Sequence, residues 1–247
     1  MDLALAIIAA AMATWFAGEL YVSWRRRRRL HAEIWSVAFA AYALATWALV
    51  VGLGLGWTSF SFRTFYFFGA IANIPLLAAG SIALASERAG RVALRVVTLW
   101  IVFGFFATYL APFVAGLPES GIPEGSEVFG FTFAIDALTL PGPRMFAAIS
   151  GALGTIVVVA LSSLTAFRMW NANRRLAVGN LLIVGGMIAP ALGGSLTALG
   201  ESSALAVTLA IGITLLWWGY HMASGARPLQ GDVSRAHDGV GGDVAGG

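Results

Sequence analysis

Two residue types are missing from this chain of 247 residues, which has no cysteine and no lysine. Without cysteine there is no disulfide, thiolate metal site, cysteine nucleophile or covalently attached haem. Without lysine there is no retinal Schiff base, because that linkage forms on a lysine amine. Histidine is scarce too, with three residues. We therefore predict neither a metal site nor a cofactor.

Charge is also in short supply. Charged residues make up 11% of the chain and hydrophobic residues 59%, against about 25% and 45–50% in ordinary soluble domains. A fold of this size cannot cover its surface in water with so few charges, so we expect it to be surrounded by membrane lipids. The basic pI, near 9.8, does not indicate nucleic-acid binding, because the arginines stand at the ends of apolar segments.

Seven apolar segments are long enough to cross a membrane. A hydrocarbon core about 30 Å thick requires about 20 residues of helix. The sequence therefore predicts an all-α membrane protein, a seven-transmembrane-helix bundle. The last two spans are the weakest, because only the link Gly200-Glu201-Ser202 separates them, and a re-entrant pair is the alternative. The predicted spans are 3–23, 34–55, 64–85, 96–116, 145–167, 176–199 and 203–223.

The arginines fall mainly on one side of these spans. Thirteen of the 15 lie at the ends and loops of one side, and only Arg63 and Arg144 lie on the other. Because cytoplasmic loops carry an excess of basic residues, we expect the N-terminus outside and the C-terminus in the cytoplasm. Arginine as the sole strong base, together with much alanine and glycine, suggests a GC-rich bacterium. The predicted location is its cytoplasmic (inner) membrane.

Two segments lie outside the predicted spans. The tail, 225–247, is rich in glycine and aspartate and is predicted to be a disordered cytoplasmic extension. The segment 117–143 is long for a loop, and its stretch 128–133 has β-like character. Loops of that length are usually functional or disordered. We predict an ordered lid over the outer face.

No Asp, Glu, His, Lys or Arg lies in the middle third of any predicted span, which argues against a proton relay or a voltage sensor. Near the cytoplasmic boundary, Glu19 lies about a turn and a half inside Arg25. We predict that it forms a structural ion pair with Arg95 or with the cluster Arg25 to Arg29. The alternative is a coupling or catalytic carboxylate that faces a cytoplasmic cavity.

Arg63 and Arg144 are the only bases on the outer side, at the ends of helices 3 and 5. One interpretation is that each extends its guanidinium to the lipid headgroups. The other is that together they bind an anionic group or headgroup under the lid, as a ligand-binding pair.

Polar and helix-breaking residues within the spans mark further candidates. Buried amides require hydrogen-bond partners, and a proline frees a backbone carbonyl one turn earlier. Small residues equally allow close helix packing. The alternatives are therefore tight packing, or a ligand cavity and hinge between helices 3 and 6. The candidate ligand-binding residues are Tyr66, Asn73 and Asn180, and the candidate hinge residues are Pro75, Gly186 and Pro190.

Two resemblances concern the whole bundle. Arg63, Tyr66 and the run Pro75-Leu76-Leu77 faintly resemble the third helix of microbial rhodopsins, but that helix's carboxylates and the retinal-binding lysine are missing here. More closely, the chain resembles uncharacterised bacterial seven-helix multi-pass proteins. That resemblance implies no activity, and it rests on Gly56-Trp57 through Tyr66, Gly179 to Ile183 and Gly193 to Leu196.

Three classes of function stay open on the sequence. The first is non-enzymatic binding or transport of a small hydrophobic, anionic or lipidic molecule. The second is a membrane sensor or scaffold that signals through the arginine-rich face. A membrane-embedded lipid or isoprenoid enzyme is third, because paired carboxylates, a histidine cluster or a nucleophile with its base are not evident. Small-residue faces also allow a homo-oligomer.

Overall fold

The computed structural model describes residues 2–118, 121–123, 125–197 and 204–224. Over these residues the chain has seven helices that are long and apolar enough to cross a membrane. The predicted tail, the link between the last two helices, Glu119 and Glu124 lie outside the described residues. The seven helices are α1 (Asp2–Arg27), α2 (Leu30–Leu55), α3 (Ser59–Ala85), α4 (Glu87–Leu110), α5 (Pro143–Met169), α6 (Arg174–Thr197) and α7 (Ala204–Ser224).

The bounds of α4 differ most from the predicted span, 96–116. The helix begins at Glu87, because the Ser86 side chain accepts a hydrogen bond from the Ala89 amide and caps the first turn. Arginines that the sequence placed in a loop thus lie in the first turns of α4, where Arg91 pairs with Glu87 at 2.8 Å. The helix ends at Leu110, since Pro112 is close behind and cannot continue it.

Helix α3 contains a wider, π-helical turn. It starts behind a capping box formed by Thr58 and Ser61, and Phe67–Ala72 then form a π-helix in which the Asn73 amide donates to the Phe68 carbonyl. Pro75 follows directly. In a regular α-helix, a proline ring crowds the carbonyl four residues earlier. For Pro75 that residue is Ile71, which lies within the π-helical turn. The chain continues as a helix through Pro75 to Ala85.

The helices pack as a ring of six with α4 outside it. Going round the ring, neighbours in contact are α1, α2, α3, α5, α6 and α7, and α7 returns to α1. Helix α3 is the most buried of the seven, and α4, which packs mainly on α3, is the least. We call the end that carries the α1 C-terminus and the α2 N-terminus the Arg-rich end, and the opposite end the lid end.

The segment 117–143, which we call the lid, packs on the lid end through its described residues. It contains the single-turn helix Gly125–Val128 and a hairpin of β1 (Thr132–Ile135) and β2 (Leu138–Pro141), in which Thr132 opposes Pro141. The fold is therefore not wholly α. Within the lid, Val128 and Phe129 are fully buried, and the Trp57 indole donates to the Gly121 carbonyl at 2.7 Å.

Glycines bring α6 and α7 into backbone contact. Gly179 and Gly186 are spaced by seven residues on α6, as are Gly212 and Gly219 on α7. A Cβ atom on Gly186 would lie 2.9 Å from the Gly212 carbonyl oxygen, and one on Gly219 would lie 2.6 Å from that of Gly179. The two helices thus approach along their length at positions where no side chain fits.

Candidate functional site

Arg63 caps the C-terminus of α4. One guanidinium nitrogen donates to the Thr108 carbonyl and another to the Ala111 carbonyl at 2.9 Å, while Nε donates to the Ser59 hydroxyl at 3.1 Å. The last carbonyls of a helix have no partner within it and attract positive charge. The guanidinium also lies over the Phe113 ring, 4.4 Å from its centroid. This geometry is one of a structural cap rather than of an arginine extended to lipid headgroups.

Arg144 lies at the same end of the bundle. Its guanidinium is 4.4 Å from the centroid of the Phe131 ring in the lid. Tyr66 is buried and packs against Phe129, with 5.0 Å between ring centroids. Tyr66 thus joins the lid to α3, and Arg144 joins it to α5. An anion bound by the two arginines stays a prediction.

Glu19 has partners that the sequence did not predict. Its carboxylate accepts a hydrogen bond from the Trp217 indole at 3.0 Å and lies 3.5 Å from Nε2 of His221. The predicted ion pair with Arg95 is wrong, because α4 lies outside the ring and packs mainly on α3 rather than on α1. No arginine within ion-pairing distance of Glu19 is found among the described residues. The carboxylate instead links α1 to α7 at the Arg-rich end.

The imidazole of His221 has a fixed orientation. Nδ1 lies 2.9 Å from the Trp217 carbonyl oxygen, and since a carbonyl only accepts, Nδ1 carries the proton of that hydrogen bond. Nε2 faces the Glu19 carboxylate. The two side chains thus form a polar contact between α7 and α1. This pair joins two helices that the sequence separates by about 200 residues.

The two candidate amides differ in how they are satisfied. The Asn180 side chain donates to the Leu176 carbonyl of its own helix at 2.9 Å. Asn73, directly after the π-helical turn, is 5% exposed. Its Oδ1 is buried and has no hydrogen-bond partner in the described part of the chain. An unsatisfied buried carbonyl costs about 1–3 kcal/mol, so Asn73 is the more informative of the two.

The candidate hinge residues lie in continuous, closely packed helix. Pro190 lies inside α6, and its ring packs on α7, where a Cβ on Gly212 would lie 2.8 Å from the proline Cγ. Gly186 lies against the same glycine. These contacts support the packing interpretation of α6. At Pro75 the helix is also continuous, but the π-helical turn before it alters the surface of α3.

A small cavity lies within the ring of helices towards the Arg-rich end. Its volume is about 30 Å³, room for about one or two water molecules. Aromatic rings form much of its wall, and the Tyr220 ring lies 5.3 Å from the Phe16 ring. The cavity is too small for a ligand of drug or lipid size. Its aromatic residues are Phe16, Trp35, Phe39 and Tyr220.

A much larger opening, which we call the groove, runs between α2 and α4 over the π-helical turn of α3. Its volume is about 390 Å³, within the range of ligand sites. Its walls are almost wholly apolar, and Glu33 is the one ionisable residue among the described residues that line it. The lining residues are Glu33, Ile34, Val37, Ala40, Ala41 and Leu44 of α2, Phe67, Phe68, Ala72 and Leu76 of α3, and Leu94, Thr98, Ile101 and Val102 of α4.

The groove combines features that the sequence shows only separately. Ala40, Ala41 and Ala72 are small, which leaves space between helices that larger side chains would close. The π-helical turn contributes Phe67, Phe68 and Ala72, and such turns occur frequently at functional sites. The sequence predicted a site between helices 3 and 6 and did not predict the groove between α2 and α4. The groove exists because α4 lies outside the ring, and the sequence does not show that position.

The chain is a multi-pass membrane protein by the length and apolarity of its seven helices. No family model, no curated protein and no solved structure matches it.

Proposed function

We propose that this protein binds or transports a lipidic molecule without chemically changing it, and that an apolar chain of that molecule lies in the groove. The single observation that carries the proposal is the groove itself, an apolar opening of about 390 Å³. Ligand pockets are mainly apolar, with a few polar groups that orient the ligand. An acyl or isoprenoid chain fits this description.

The groove is open to the surrounding lipid. Val37 and Leu44 on one wall are 52% and 49% exposed, and Val102 on the other is 45% exposed. Exposed apolar side chains on a membrane helix face hydrocarbon, so a chain can enter sideways from the bilayer. Because lipid tails are as apolar as the walls, retention depends on shape and packing rather than on hydrophobic burial.

The groove offers little for catalysis. Chemistry on a lipid requires a nucleophile with a base, paired acids or a metal. Among the lining residues, Glu33 has no second carboxylate beside it, and within the described residues no group of three or more metal-ligating side chains occurs. This supports binding or transport over an enzyme.

The orientation and location belong to the same proposal. Since 11 of the 13 arginines in the described part of the chain lie at the Arg-rich end, we place that end in the cytoplasm and the lid outside. The composition favours the inner membrane of a bacterium. In that orientation the end of the groove that carries Glu33 opens to the cytoplasmic leaflet.

Filling the groove should remove its ligand. Ala40 lines the groove and is exposed, so Ala40→Trp places an indole in the space without disturbing the core. We expect lipid that remains bound through purification to fall from near-stoichiometric amounts to traces, measured by native mass spectrometry. Ala11→Trp, at an exposed position on α1, is the matched control and should keep its lipid. Equal lipid content in both variants would contradict the proposal.

A further inference from the structure

Two opposite charges flank one end of the groove without a partner. Glu33 lies in the first turn of α2 and lines the groove. Arg95 lies next to the lining residue Leu94 in α4. Both side chains are exposed, and in the described part of the chain neither forms an ion pair or a side-chain hydrogen bond. Arg91, one turn further out on α4, shows the contrast, since it pairs with Glu87.

The two charges belong to the two helices whose walls enclose the groove, Glu33 to α2 and Arg95 to α4. Arg95 precedes the lining residues Thr98 by three positions and Val102 by seven, so helical spacing places it on the same side of α4, just beyond the residues that line the groove. Glu33 begins the corresponding stripe of α2, which continues through Val37 and Leu44. They do not form an ion pair with each other. A molecule whose chain lies in the groove thus has its polar end between a carboxylate and a guanidinium.

We propose that the groove binds a phospholipid whose headgroup carries a primary ammonium, with its phosphate at Arg95 and its ammonium at Glu33. This inference rests on the proposed function, since it assumes that the groove holds the acyl chain. Arginine is well suited to phosphate, which its planar group binds through two donors. A carboxylate accepts the N–H groups of an ammonium in charge-assisted hydrogen bonds.

Other headgroups match this pair of charges less well. A phosphatidylglycerol headgroup offers Arg95 the same phosphate but leaves Glu33 beside a negative charge with no cation. A phosphatidylcholine headgroup places a cation near Glu33, but its quaternary nitrogen has no N–H to donate. The cluster of arginines at this end attracts any anionic lipid to the surface, whereas Glu33 discriminates among lipids inside the groove.

The test is a titration of the purified full-length protein with three lipids that share the same acyl chains and differ in headgroup. Native mass spectrometry reads the bound fraction of phosphatidylethanolamine, phosphatidylcholine and phosphatidylglycerol. We expect phosphatidylethanolamine to bind about fivefold more tightly than either of the others, as one charge interaction near a membrane surface allows. Glu33→Gln should remove that preference, and Arg95→Gln should weaken all three lipids by about fivefold.

Arg168→Gln is the matched control, because Arg168 is an exposed arginine at the Arg-rich end of α5. It should change none of the three affinities. Phosphatidylglycerol binding as tightly as phosphatidylethanolamine, or a preference that survives Glu33→Gln, would overturn the headgroup assignment. Ala40→Trp distinguishes a wrong headgroup assignment from a failure of the proposed function. If Ala40→Trp leaves the binding of all three lipids unchanged, the groove is not the lipid site.

Discussion

Gly186→Ala is expected to lower the free energy of unfolding by about 1–3 kcal/mol, the usual cost of forcing an added group into a well-packed interior. The added methyl would lie 2.9 Å from the Gly212 carbonyl oxygen and 3.0 Å from the Leu216 amide nitrogen. Both are backbone atoms of α7, so the rotation of a side chain cannot relieve these two contacts. The helices must separate, and the contacts along their whole interface weaken. Thermal unfolding in detergent measures the effect.

Gly151→Ala is the control for this substitution. Gly151 also lies inside a long helix, but a Cβ there meets nothing within 4 Å. Alanine favours a helix over glycine by about 1 kcal/mol, so this variant should be as stable as the parent protein or more so. If the two variants unfold at the same temperature, α6 and α7 do not pack as described. If Gly186→Ala keeps its stability but loses lipid binding, the hinge hypothesis is favoured instead.

Arg63→Ala is expected to destabilise the protein by about 3 kcal/mol. The variant loses charge-assisted hydrogen bonds to two carbonyls, and each such bond contributes about 1.5–3 kcal/mol. It also leaves the Thr108 and Ala111 carbonyls without those donors, in residues that are at most 1% exposed. The contact with the Phe113 ring is lost as well. The measurement is again thermal unfolding, with α4 and the lid as the regions that should open first.

Two further variants separate the cap from the charge. Arg63→Lys keeps the charge, but an ammonium lacks the fork that reaches both carbonyls, so it should recover only part of the stability. Arg91→Ala breaks an ion pair whose side chains are 55% and 66% exposed, and exposed pairs contribute about 0–1 kcal/mol. If Arg63→Ala costs no more than Arg91→Ala, Arg63 does not cap α4.

The number and position of the helices followed from the sequence, because the length of an apolar run and the charges at its ends are local properties. The bounds moved where a cap or a proline acted. Ser86 and the Glu87–Arg91 pair extended α4 to Glu87, well before the predicted start at 96. The spacing of Gly179, Gly186, Gly212 and Gly219 was also visible in the sequence, although their pairing was not.

The contacts between helices could not be predicted in the same way. The sequence identified Glu19 as a residue that needs a partner, but the choice between Arg95 and His221 depends on which helices are neighbours. Hydrophobic pattern does not determine that order. The groove has the same origin, since it exists because α4 lies outside the ring and because a π-helical turn interrupts α3. Candidate residues chosen for their chemistry thus included Asn73 but not Ala40 or Glu33.

The most direct test of the groove as a lipid site is covalent labelling with a phospholipid that carries a diazirine in its acyl chain. The full-length protein is loaded, washed of loosely bound lipid, irradiated and digested, and the labelled peptides are sequenced. We predict that labels concentrate on residues 37–44 of α2 and 98–102 of α4 and disappear in Ala40→Trp. Labels spread evenly over the exposed faces of α1 and α5, and unchanged by Ala40→Trp, would contradict the account.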